Sequence, residues 1–384
     1  MNTRSLQVIV LLTVCIVLLI VAFRYLESPW VPAIGTTVLA SGALAYACKN
    51  QLTRALWVNL AVIMSALGAF EIYLLSDERG VPTERFEGTY TTDYYVNHDI
   101  LGYGPANNIS ATVSRYVNDE LIYDLIYTID DNGLRATSLN ANSRRDQALV
   151  FFGGSVTFGE GVSDHQSMPY RVRELVGNEY EVYNFGFHGY GPHQMLAAIE
   201  LGLLDKIVRE PVKRVVYQAI PAHVARAAGL AHWDRHGPRY TLDSYGRATY
   251  TGSFDGSRSV LIETLLPQFE KLRMYQHILG SKRAIREDDI NLYLGIVKRS
   301  RSLILELYPE ADFHVLLWGY KGDRVFDEIE QGFATADIRI HLVSDILPAY
   351  DRTPHLYTIH QHEPHPNPLA HDLIARYVVA NVVP

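Results

Sequence analysis

The stretch Ala148-Leu149-Val150-Phe151-Phe152-Gly153-Gly154-Ser155-Val156-Thr157-Phe158-Gly159 decides how the chain is read. An unbroken apolar run without polar alternation reads as a strand covered on both faces, the kind found in parallel sheets. The glycines that end it mark a tight turn. A serine just past such a turn can expose its Oγ while nearby backbone N–H groups meet an oxyanion. The same residues also read as a strand-to-helix turn that Ser155 merely caps.

Downstream, strand-like and helix-like segments alternate. Glu181–Phe185, Val212–Ile220 and Phe313–Trp318 read as further strands, and Met168–Leu175, Pro192–Leu204, Ile290–Leu307 and Leu369–Val379 as helices. This alternation predicts an α/β fold, a doubly wound and mainly parallel sheet with its site outside the carboxyl ends of the strands. Residues 148–384 form this domain, with an insertion at about 224–289 on the rim of the site. Within the insertion, Tyr240–Phe254 has hairpin character around Ser244-Tyr245-Gly246.

Upstream, residues 76–147 read as a β-rich arm or small subdomain. Leu121–Ile129 is its clearest strand, followed by the turn signal Asp131-Asn132-Gly133. Residues 1–75 hold three apolar runs: Leu6–Phe23, Val31–Cys48 and Ala55–Leu75. Each approaches the length that crosses a hydrocarbon core of about 30 Å, which predicts a membrane anchor of about three helices. A cleaved signal peptide is the competing reading of the first run. Arg4, Lys49 and Arg54 flank the runs on the side expected to face the cytoplasm. The large domain is then expected outside the cell (inner) membrane, on its periplasmic or extracellular side. Glu71, near the end of the third run, is expected to snorkel to the interface.

Composition narrows the function. The 384 residues carry a net charge of −8 with no basic stripe, so no nucleic-acid partner is expected. The two cysteines, Cys15 and Cys48, lie in the apolar runs, which leaves no disulfide framework and no Cys-based metal site elsewhere.

Two later segments bear on chemistry. Asn184-Phe185-Gly186-Phe187-His188-Gly189-Tyr190-Gly191 again follows a strand, and its glycines let backbone approach a ligand closely or simply turn tightly. Near the carboxyl terminus stands His360-Gln361-His362-Glu363-Pro364-His365-Pro366-Asn367, then His371. A catalytic base needs a neutral imidazole held by an acceptor on its other nitrogen, and Glu363, two residues before His365, is the candidate for that acceptor. The segment also reads as a histidine-rich surface loop. A metal site from His360, His362, His365 and His371 matches no strong ligand spacing.

Together, Gly-x-Ser-x-Thr, Asn-x-Gly-x-x-Gly and a terminal carboxylate-x-His-Pro-Asn resemble the SGNH (GDSL-like) hydrolase superfamily over residues 148–384. The Gly-x-Ser-x-Gly elbow of the α/β-hydrolases fits less well. Thr157 stands at its fifth position, and Ser155 follows the first strand of the domain. Gly102-Tyr103 and Asp130 through Arg135 likewise resemble the lead-in of envelope members. The resemblance implies a parallel sheet of five strands and Ser155 as nucleophile, with His365 as base and Glu363 orienting it. It further implies an oxyanion hole of the Ser155 and Gly189 N–H groups and a third donor, with no cofactor and no metal. Three positions depart from the pattern. Gly154 replaces an aspartate and Glu363 an aspartate, and Ile220-Pro221-Ala222-His223 lacks the asparagine that is the usual third donor, leaving His223 as its substitute. Arg226 is a candidate for an anionic substrate group or a surface salt bridge.

These features imply a serine esterase or O-acyltransferase acting on an acylated small molecule or polysaccharide, with the membrane as its other partner. A catalytically weak or inactive binding and assembly module of the same fold is the alternative, favoured by the altered third donor. A metallohydrolase built on the terminal histidines is a third.

Overall fold

The computed structural model describes residues 30–77, 83–138, 145–256, 272–278 and 284–383. The apolar run Leu6–Phe23 lies outside the described residues. The chain divides into two compact units, residues 1–81 with 258–283, and residues 82–257 with 284–384.

In the first unit the helices Trp30–Ala47 and Gln51–Asp77 correspond to the second and third apolar runs. Asn50 starts the second helix, its Oδ1 accepting the Leu52 N–H at 2.8 Å. Gly68 permits close approach to the first: a Cβ there would sit 2.9 Å from Ile34 Cγ2. Gln51–Leu75 is long and apolar enough to cross a membrane. Glu71 does not snorkel. It is buried, and its two carboxylate oxygens accept the N–H groups of Arg273 and Met274, each at 2.8 Å. Those are orphan donors at the start of the short helix Arg273–Ile278.

The second unit begins with an antiparallel arm. Strand β1 (Glu84–Glu87), the hairpin β2–β3 (Tyr95–His98, Gly102–Pro105) and the long pair β4–β5 (Ile109–Val117, Glu120–Ile129) form it. Next comes a five-stranded sheet of β6 (Gln147–Phe152), β7 (Tyr180–Asn184) and β8 (Val212–Ala219). After the inserted hairpin β9–β10 (Pro238–Leu242, Ala248–Ser253), β11 (Asp312–Leu317) and β12 (Arg339–Leu342) complete it. The order is β12-β11-β8-β6-β7, every pair parallel.

Alternation along the central strands builds both cores. Ala148, Val150 and Phe152 face one side with Val215, Tyr217, Val315 and Leu317. Leu149 and Phe151 face the other with Val216 and Leu316. The helices Pro192–Glu200, Glu287–Leu307 and Arg324–Thr335 cover the first face, and Met168–Leu175 and Pro368–Asn381 the second. The arm shares the first core through Tyr94, Val113 and Tyr127. Because β6 is the first strand of this sheet yet lies between β7 and β8, the strand order reverses at its carboxyl end. In doubly wound sheets that is where ligands bind. Ser155 stands there.

Candidate active site

Ser155 opens the short helix Ser155–Phe158 directly after β6. Gly153, at φ +154°, makes the turn; a Cβ on it would overlap Thr157 Oγ1. The far end of this helix is held from the arm. Buried Arg135 donates to the carbonyls of Phe158 (2.8 Å), Gly159 and Val162 (2.7 Å), and its Nε to Asp164 (3.0 Å). A cation thus satisfies carbonyls that a helix end leaves open.

His365 lies on β14 (Glu363–Pro366), which pairs with β13 (Thr358–His360) just before the last helix. Its Nε2 is 2.7 Å from Ser155 Oγ. Its Nδ1 bonds Glu363 Oε1, the oxygen that also accepts the His365 backbone N–H at 3.2 Å. The added methylene of glutamate lets a residue only two positions away reach the ring. Glu363 is fully buried, and its Oε2 ion-pairs with Arg115 of β4, a nearly buried side chain that also meets Glu84 at 3.2 Å.

Sequence reasoning passed over a second carboxylate. Glu160 Oε2 lies 2.6 Å from His188 Nδ1 and 3.7 Å from His365 Nε2. Burial raises its pKa, but the facing His188 and His365 outweigh that and hold it at about 2. The His188 Nε2 is 3.1 Å from Tyr94 Oη, and Tyr103 Oη donates to the His188 carbonyl at 2.7 Å. Glu160, Glu363 and His365 present ligand-type atoms within 4.8 Å of one another. Arg115 and His188 already engage the two carboxylates, which opposes a divalent ion there. His371 is drawn away from the other histidines: its Nδ1 accepts the Met168 N–H at 3.1 Å, and burial lowers its pKa to about 3.

The remaining candidates surround the turn. Gly189 has φ +74°, and a Cβ on it would lie 2.5 Å from Trp233 Nε1 and 2.6 Å from Tyr103 Oη, so only glycine fits. A Cβ on Gly154 would come within 2.7 Å of Arg226 Nη1 and 3.2 Å of His223 Nε2, which explains glycine where the pattern has aspartate. His223 is buried with Nδ1 2.7 Å from Tyr217 Oη, and its Nε2 has no protein partner. Burial, then the charge of Arg226, pushes its pKa well below 6.5, so the ring is neutral. Arg226 Nη1 donates to the Tyr190 carbonyl at 2.7 Å, and its guanidinium lies 5.9 Å from the Trp233 ring centre. Arg226 thus fastens the Gly189 loop through a carbonyl.

A parallel sheet of this order, with a serine after its first strand and a carboxylate-x-His before its last helix, is the arrangement that the resemblance to SGNH hydrolases implies. No family model and no curated protein matches the chain. Among solved structures it resembles a lipolytic G-D-S-L family protein from Veillonella parvula, at 14% identity and TM-score 0.37, over 62% of this chain and 98% of that one. It also resembles an acetylxylan esterase from Geobacillus stearothermophilus, at 13% identity and TM-score 0.34, over 60% and 92%. A putative G-D-S-L lipolytic protein from Desulfitobacterium hafniense gives 13% and 0.34, over 61% and 98%.

Proposed function

We propose that this chain is a serine esterase or O-acyltransferase acting through an acyl-serine intermediate. The carrying observation is the continuous chain Ser155–His365–Glu363–Arg115. His365 Nε2 takes the Oγ proton as Ser155 attacks the acyl carbonyl, and returns it to the departing alcohol. Glu363 fixes the ring and stabilises the imidazolium. The Ser155 N–H, first of a helix and without an intrahelical acceptor, and the Gly189 N–H receive the oxyanion. With Tyr217 donating to Nδ1, His223 carries its proton on Nε2 and serves as the third donor.

A groove of about 200 Å³ lies beside the site, lined by Val156, Pro364 and Pro366 with Trp318, Tyr350 and Tyr357. Its aromatic walls suit a sugar or an apolar acyl group. Gln51–Leu75 supports a membrane anchor, and the placing of Arg4, Lys49 and Arg54 favours the catalytic unit on the outer side, where carbohydrate esters would be its substrates.

The test is a fluorophosphonate probe on the full-length protein in detergent. Labelling is expected at Ser155 and absent in Ser155→Ala. Folded wild-type protein that stays unlabelled would favour the binding-module alternative.

The pH dependence follows from His365. Burial lowers its pKa below 6.5; Glu160 raises it, and Arg115 and Arg226 lower it again. A base works unprotonated, so activity falls as pH drops through this pKa. The acid limb of kcat/KM is expected to have its midpoint below pH 6.5, and a midpoint above 6.5 would contradict the assignment.

A further inference from the structure

The triad leaves open whether the acyl group passes to water or to another alcohol. Glu160 bears on that choice. Gly159 and Gly161, at φ +88° and +79°, bracket it. The turn they make is held by Arg135 on one side and by Tyr127 Oη, which accepts the Gly161 N–H at 2.8 Å, on the other. The carboxylate is aimed by the relay Tyr94–His188–Glu160. Its 3.7 Å gap to His365 Nε2 is too long for a direct hydrogen bond and suits one bridging oxygen, about 2.8 Å from each atom. In the free enzyme Nε2 is occupied by Ser155 Oγ. Once the serine is acylated, Oγ has no proton and Nε2 is released to a new donor.

We infer, building on the esterase reading, that Glu160 positions the attacking water and makes this site a hydrolase in preference to a transferase. Water carries two O–H groups and can donate one to His365 Nε2 and the other to Glu160 at once. A simple alcohol has a single O–H, which Nε2 must take, so its oxygen lone pairs face an ionised carboxylate. In the step itself the water oxygen bonds to the acyl carbon as one proton passes to Nε2. The tetrahedral intermediate then collapses, the acyl carbon–Oγ bond breaks, and the Nε2 proton returns to Oγ. The acid leaves with the oxygen that water brought.

The experiment uses the full-length protein, 4-nitrophenyl acetate as donor and methanol as competing acceptor, with acetate and methyl acetate quantified. Wild type is expected to favour acetate. Glu160→Gln retains the volume but not the charge, and is expected to show a nitrophenol burst, accumulated acetyl-enzyme by intact mass, and a product ratio shifted towards methyl acetate by about tenfold or more. His188→Asn, which loosens Glu160 without removing it, is expected to shift the ratio the same way. An unchanged ratio in both variants, at any overall rate, overturns the inference and leaves the esterase reading intact. A wild type that releases no nitrophenol and takes no fluorophosphonate label at Ser155 overturns both.

Discussion

Glu363→Gln is expected to lower kcat by about 10⁴-fold while Ser155 remains in place. Glu363 Oε1 receives both the ring N–H and the backbone N–H of His365. An amide there can present its NH₂ to Nδ1, forcing the proton onto Nε2, and a protonated Nε2 cannot accept from Ser155. It also stabilises the imidazolium less. Steady-state kinetics with a 4-nitrophenyl ester measure the loss, and fluorophosphonate labelling should slow in parallel. A variant within tenfold of wild type would mean that Glu363 is structural and that His365 keeps its working tautomer without it.

Arg115→Met carries the second large effect. Removing one member of a buried pair leaves the other charge uncompensated, at about 3–5 kcal/mol. Here the stranded group is Glu363, fully buried, with Oε2 bonded only through that ion pair. The unit of residues 82–257 and 284–384 should unfold several degrees lower, and esterase activity should fall because the triad carboxylate is free to take up a proton. The double variant Arg115→Met with Glu363→Leu removes both charges and is expected to regain most of the thermal stability while staying inactive. If the single variant melts with wild type, the pair is not the anchor described here.

These effects mark the boundary of what the sequence disclosed. Ser155, His365 and Glu363 were legible as candidates because their partners are local or conform to a motif: turn glycines beside the serine, one residue between acid and base. Arg115 was not. In Ile109–Val117 it occupies one place in an alternating strand, and its partner lies 248 positions further on, a pairing that no spacing announces. Glu160, set between two glycines, resembles a solvated turn until the loop of His188 folds over it. The strands at 147–152, 180–184, 212–219 and 312–317 follow from apolar runs. The edge strand Arg339–Leu342 has only four residues, of which Arg339 is exposed and the others half-buried, so it carries little periodic signal. Glu71 was misjudged because its partners, two N–H groups of a short helix, come from a distant part of the chain.

The arm's contribution has a consequence for how the protein comes into service. In chain order Arg115 of β4 precedes all five strands of the sheet and Glu363 of β14 follows them, so the pair can close only after the residues of that sheet have been made. Until then the acid and base themselves are missing while their counter-charge waits, so a partly synthesised chain is expected to be inert. Catalytic competence thereby acts as a report of finished folding, withheld until the beginning and end of this unit have found each other.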